Sequence, residues 1–185
     1  MRSAKLIFLL SATALVAHEM VVAVAQSDIS WPGRGLALAP QPAGHPMLPD
    51  PKLTPGATDP AVTQSTIKQT ICKSGYTSTV RNVTEAEKRA VMVRYGLPLS
   101  ELSKVEIDHF VSLEIGGSND VTNLWPEYYD PAPGQSGYLG ARQKDVVETE
   151  LHREVCGGKI NLSMAQLLIR TWPDYYRKLK SKGGR

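Results

Sequence analysis

Asp108 and His109 stand side by side in a chain of 185 residues. A carboxylate can hold a divalent cation, and an imidazole takes up a proton near neutral pH. The pair therefore contains the two groups that metal-assisted attack of water on a phosphodiester requires. Gly116 and Gly117 follow as a turn, and Asn123 closes the segment. Neighbours on a regular strand point to opposite faces, so Asp108 and His109 can share a site only where the strand bends or ends. An isolated Asp-His pair is more often a turn cap than a catalytic unit. The glycine turn and Asn123 set this one apart.

Over residues 105–127, the run Ile107-Asp108-His109-Phe110-Val111, the Gly116-Gly117 turn and Asn123-Leu124 resemble the signature of the HNH endonuclease family. The resemblance implies an α+β fold containing a ββα-metal unit with flanking helices, and a divalent-metal-dependent endonuclease acting on DNA or RNA. It makes His109 the general base and Asp108 a ligand of Mg²⁺ or another divalent cation. Asn123 would tie the long loop to the hairpin. The family's third signature residue is a His or Asn three positions before a helical Lys; Lys144 puts Ala141 there, and alanine binds no metal.

Three outcomes follow from that break. Asp145 or Glu148 substitutes as a ligand; or Asp108 and water molecules hold the ion, an arrangement Mg²⁺ tolerates; or catalysis is lost. The last leaves an inactive module of the same fold that binds nucleic acid or protein. Arg142 and Lys144, with Tyr128, Tyr129 and Tyr138 nearby, are candidates to hold phosphates and stack on bases, or else to pack the loop. Glu127 either orients a neighbouring ligand or anchors the loop. His152, four residues after Glu148, reads as a helix-surface contact, and His45 as idle.

These residues need elements to position them. Thr84 and Glu87 have capping-box spacing, which starts a helix over 85–95 that Gly96 ends. Val105–Ile115 alternates enough to predict two short strands. Val147, Leu151 and Val155 share one face of a later helix ended by Gly157-Gly158, with Lys144, Asp145 and Glu148 on its wetter sides. Ser163 with Gln166 predicts a further capped helix, and residues 66–81 an irregular strand and turn. Residues 177–182 form a basic tail, read as a solvated end or a phosphate contact.

Arg2 and Lys5, the apolar run Leu6–Ala17 and the small residues Ala23-Val24-Ala25 read as a signal peptide over 1–25, interrupted by His18 and Glu19. The expected product is secreted or periplasmic, with no membrane attachment after cleavage. Residues 26–60 form a Pro-rich linker; eight of the thirteen prolines lie there, too many missing donors for a ladder. The folded domain is expected over 61–185, enough for one core. A formal charge of +3 neither demands nor excludes nucleic acid, since local clustering decides phosphate affinity. Cys72 and Cys156, an even count in an exported chain, predict one disulfide.

Overall fold

The structure, a computed structural model, describes residues 44–183. The expected signal peptide over 1–25 and residues 26–43 of the expected Pro-rich linker lie outside the described residues. No described helix is long and apolar enough to cross a membrane. The architecture is α+β: helices surround one small antiparallel sheet, and one disulfide joins Cys72 to Cys156.

The 44–60 stretch does not behave as a spacer. Thr54 is fully buried, its hydroxyl donating to the Leu124 carbonyl at 2.9 Å. The Gly56 amide donates to the Thr122 carbonyl at 3.0 Å, and Thr58 bridges Gly117. Arg170 donates to the Pro55 and Gly56 carbonyls at 2.5 and 2.9 Å. Proline removes donors from a segment but leaves its carbonyls, and Arg170 uses that surplus. His45 is not idle either: its ring stacks on Tyr128 with centroids 3.5 Å apart.

Residues 66–81, expected as strand and turn, form consecutive turns and then helix α1, Tyr76–Val80. Ile67 and Ile71, four apart, are buried on one side, and the Thr70 hydroxyl donates back to the Thr66 carbonyl. Local side-chain bonds of this kind favour turns over a ladder. Helix α2, Glu85–Arg94, starts with the expected capping box: the Glu87 amide donates to Thr84 Oγ1, and the Thr84 amide to the Glu87 carboxylate.

Only half of the Val105–Ile115 run is a strand. β1, Val105–His109, pairs with β2, Leu124–Tyr128, in the register Val105 to Tyr128 and His109 to Leu124. Leu113–Ile115 is a 3₁₀ turn, with Leu113 and Ile115 in the core. Pro126 lies in β2 opposite Ile107, a position tolerable because a two-stranded sheet leaves one side of each strand unpaired. Gly117 is obligatory in the loop between the strands, since a Cβ there would lie 1.7 Å from the Val111 carbonyl oxygen.

Helix α3, Ala141–Cys156, turns Val147, Leu151 and Val155 inward, together with Ala141, Lys144 and Glu148. Lys144 and Glu148 therefore lie on the buried face, not on the wetter sides expected. Helix α4, Leu162–Leu168, is capped by Asn161, whose carboxamide oxygen accepts from the Met164 amide at 2.8 Å. The expected Ser163–Gln166 box is displaced, and Gln166 instead donates to the Ile115 carbonyl at 3.0 Å. Helix α5, Trp172–Gly183, follows with Trp172 buried.

Apolar packing falls into two groups. One joins α3, α4 and Trp172 to Val62, Ile67, Ile71, Val111 and Ile115. The other places Val91 and Met92 of α2 against Val105, Ile107, Leu124 and Tyr128. The Cys72–Cys156 bond fastens the turn region to the end of α3, with Cα atoms 5.5 Å apart and 84 residues between them in sequence. Closing a loop of that length restricts the unfolded chain. Reduction, or Cys72→Ser with Cys156→Ser, is expected to cost about 2–5 kcal/mol, read as a lowered midpoint in urea with the native fold retained below it.

Candidate functional site around His109

β1 ends at His109, and the Phe110 amide donates to the Asn123 carbonyl at 2.7 Å as the chain turns away. Asn123 is fully buried and holds the loop from inside. Its carboxamide oxygen accepts from the Val111 amide at 2.8 Å, and its nitrogen donates to the Val111 and Ser118 carbonyls at 2.9 and 2.8 Å. These bonds carry the turn back under the strands and bring Asn119 to His109.

Asn119 fixes the state of the imidazole. Its amide nitrogen donates to the Val80 carbonyl at 2.7 Å, and its oxygen accepts from the Asn82 amide at 3.2 Å. Both bonds require the same orientation of the carboxamide. His109 Nε2, 3.0 Å from the same oxygen, must therefore carry the proton and donate. In the neutral ring Nδ1 then holds the lone pair, and it is enclosed without a hydrogen-bond partner among the described residues. Burial lowers the His109 pKa, partly offset by the Asp108 charge and the Asn119 bond. The ring is thus neutral at pH 7, with one nitrogen free to accept.

Asp108 turns to the other side. Its carboxylate meets the Lys144 ammonium at 2.5 Å, and Lys144 also donates to the His109 carbonyl at 2.8 Å and to Glu148. Ser112 Oγ donates to the second Glu148 oxygen at 2.9 Å. Burial would raise the Asp108 pKa, but Lys144 overrides it and the group stays ionised. Glu148 is pushed up to about 7 by burial, against the pull of Lys144. Burial likewise opposes the charge on Lys144, yet Asp108 and Glu148 hold its pKa above the usual value. Glu127 is enclosed with neither oxygen bonded among the described residues, and burial pushes its carboxyl well above the usual carboxylate range.

The expected site residues thus separate. Lys144, expected to face phosphate, has no exposed surface and is corrected to an internal cation, because two carboxylates and a carbonyl surround it. Glu148, expected as a free metal ligand, is bound to Lys144 and Ser112. Asp145 is exposed on α3. Arg142 is exposed, 3.4 Å from Asp130 and 5.1 Å from the centre of the Tyr129 ring. Tyr138 packs the loop, donating to the Tyr128 carbonyl at 2.9 Å. His152, four residues from Glu148, meets the Ile71 carbonyl at 2.8 Å through Nε2.

A resident divalent cation does not fit these groups as placed. Lys144 already neutralises Asp108, and Ala141 offers no donor. Among the described residues, the three side chains whose donor atoms converge closely enough for an ion are Cys72, His152 and Cys156, and the two sulfurs are bonded to each other. No family model, curated protein or solved structure matches the chain.

Asn119 and Ser112 carried no signal of their own in the sequence, since each acts through a fold contact distant along the chain. The Lys144–Glu148 pair did, as opposite charges four apart on a helix that also turns Val147 and Leu151 inward. Lys144→Met would leave two buried carboxylates without a cation. Urea titration at pH 7 should show a loss of about 3–5 kcal/mol; an unchanged midpoint would remove Lys144 from the centre of the structure.

The raised Glu148 pKa has a defined sign. Between the ordinary carboxylate value of 4.5 and about 7 the folded state binds the extra proton, so this group's contribution to stability is lost as pH rises through that window. Glu148→Gln should flatten that part of the stability profile, as measured by urea melts between pH 4.5 and 8.

Proposed function

We propose that the chain cleaves phosphodiester bonds in nucleic acid, with His109 as general base, and that the product of export is secreted or periplasmic. The observation that carries this is the tautomer held by Asn119, which leaves a neutral imidazole with its Nδ1 lone pair as proton acceptor. An attacking water gives its proton to Nδ1 as its oxygen forms the new bond to phosphorus; the bond to the leaving oxygen breaks, and that oxygen takes a proton from solvent. Arg81 sits between Val80 and Asn82, the two residues that bond Asn119, and its guanidinium has no hydrogen-bond or ion-pair partner among the described residues. It is the cation available to phosphoryl oxygens. Nδ1 is enclosed in this conformation, so substrate engagement requires the residues over it to shift.

Mg²⁺ or another divalent cation has no ready seat on Asp108, and no step is assigned to it. A second reading has its own observation: Lys144 holds Asp108 and Ala141 stands where the resembled family keeps a ligand, which favours a non-catalytic module that binds nucleic acid or protein.

Plasmid and RNA incubated with the protein, in Mg²⁺, in Mn²⁺ and in chelator, separate the two readings. In whichever condition supports cleavage, His109→Ala is expected to lower it about 10²- to 10⁴-fold with the fold retained. Because burial lowers the His109 pKa, the acid limb of kcat/KM should lie below 6.5. Asn119→Asp, which places a negative charge against Nε2–H, should move that limb upward. No cleavage by the parent in any condition leaves the binding reading.

A further inference from the structure

A cavity of about 360 Å³ opens beside β1, between the segment leading into α2 and Tyr129. Its size is within the range of small-ligand pockets, roughly 300–1,000 Å³. Among the described residues the sheet has two strands, and the edge of β1 away from β2 carries no partner strand. Val83, Leu102 and Ile107 give the cavity an apolar wall, and Tyr129 adds an aromatic side chain. Its charged members are paired unequally. Lys88 is held by Glu85 at 2.6 Å. Arg81 and Glu106 both line the cavity, and neither side chain has a hydrogen-bond or ion-pair partner among the described residues.

We infer that this cavity is a nucleotide subsite that takes a guanine base, with Glu106 accepting from the base edge and Arg81 holding the attached phosphate. The inference deepens the nucleic-acid reading of the His109 site and rests on it. Three physical points support it. An apolar wall with an aromatic neighbour suits the face of a base. A free guanidinium pairs with phosphate oxygens in a fork geometry, and Asn119 ties the Arg81 segment to His109, so the phosphate would lie toward the proposed base.

The third point selects the base. An ionised carboxylate accepts only, through two oxygens side by side. Guanine presents two adjacent donors, N1–H and the N2 amine, on one edge. Adenine and cytosine present one amine beside an acceptor, and uracil one N–H between two carbonyls, so each would set a lone pair against a Glu106 oxygen. Glu106 is half-buried, and desolvation with the Asp108 and Asp145 charges raises its pKa. Two donors from a base would relieve that cost.

Calorimetric titration of the mature chain at pH 8 with the 5′-monophosphates of guanosine, inosine, adenosine, cytidine and uridine tests this without any cleavage. Guanosine monophosphate should bind about ten- to a hundredfold tighter than the others, the range that a hydrogen bond to a charged group supplies. Inosine monophosphate lacks only the N2 amine and should lose most of that margin on the unaltered protein. Glu106→Gln should erase the preference, while Arg81→Ala should weaken all five nucleotides and match the loss seen with guanosine lacking its phosphate. Equal binding of all five, a guanine preference that survives Glu106→Gln, or no binding of guanosine monophosphate overturns the subsite. Cleavage of plasmid and RNA by the same preparation is scored separately: cleavage without guanine binding leaves the hydrolytic reading and ends this one, and guanine binding without cleavage does the reverse.

Discussion

The buried ammonium of Lys144 is the contact on which the arrangement of the site depends. An ion in the protein interior costs several kcal/mol unless its charge and its donors are met. Here the three N–H bonds go to Asp108, Glu148 and the carbonyl of His109. One side chain of α3 thereby fixes both the carboxylate of Asp108 and the backbone of the residue after it. Removing either carboxylate would leave the cation underpaired; removing the cation would leave two carboxylates repelling each other out of water. The helix cannot slide along β1 without breaking the bonds to Asp108 and to the His109 carbonyl, while the bond to Glu148 braces the ammonium from within α3.

That internal pair also explains why Asp108 and His109, adjacent in sequence, do different work. Alternation along β1 sends the carboxylate toward α3 and the imidazole toward the Val80–Asn82 segment. The carboxylate is consumed by the interior. The imidazole is held by an asparagine that itself is locked by two backbone groups, so its protonated nitrogen is specified by geometry and its other nitrogen is left as an acceptor. Asn123 acts one step further back. By pinning Val111 and Ser118 it sets the course of the loop that delivers Asn119, and Gly117 is needed because no side chain fits against the Val111 carbonyl at that closure.

Much of the frame was legible along the chain. The capping box at Thr84 and Glu87, the stop at Gly96, the apolar face of Val147, Leu151 and Val155, and the pairing of Cys72 with Cys156 follow from short-range rules or from an even cysteine count, and all appear in the structure. The misreadings share a cause. Alternation through Ile115 suggested a second strand, but Leu113 and Ile115 reach the core from a 3₁₀ turn. β-branched residues in 66–81 suggested a strand, but Ile67 and Ile71 reach the core from consecutive turns. The Pro-rich segment suggested a spacer because it lacks donors, while Arg170, more than a hundred residues away, reads its carbonyls.

The sequence by itself determined the Thr84–Glu87 cap, the disulfide, and the presence of an acid and a base beside a glycine turn. These depend on residue type and on neighbours a few positions apart, where steric and hydrogen-bonding rules act locally. Tertiary structure alone decided that Lys144 is an internal cation paired with Asp108, that Asn119 orients His109, and that Arg81 and Glu106 line one cavity. Each of those facts depends on groups brought together across long stretches of chain. A charged residue on a helix looks the same in sequence whether water or a carboxylate surrounds it; only the packing of α3 against β1 removed the water and made the difference.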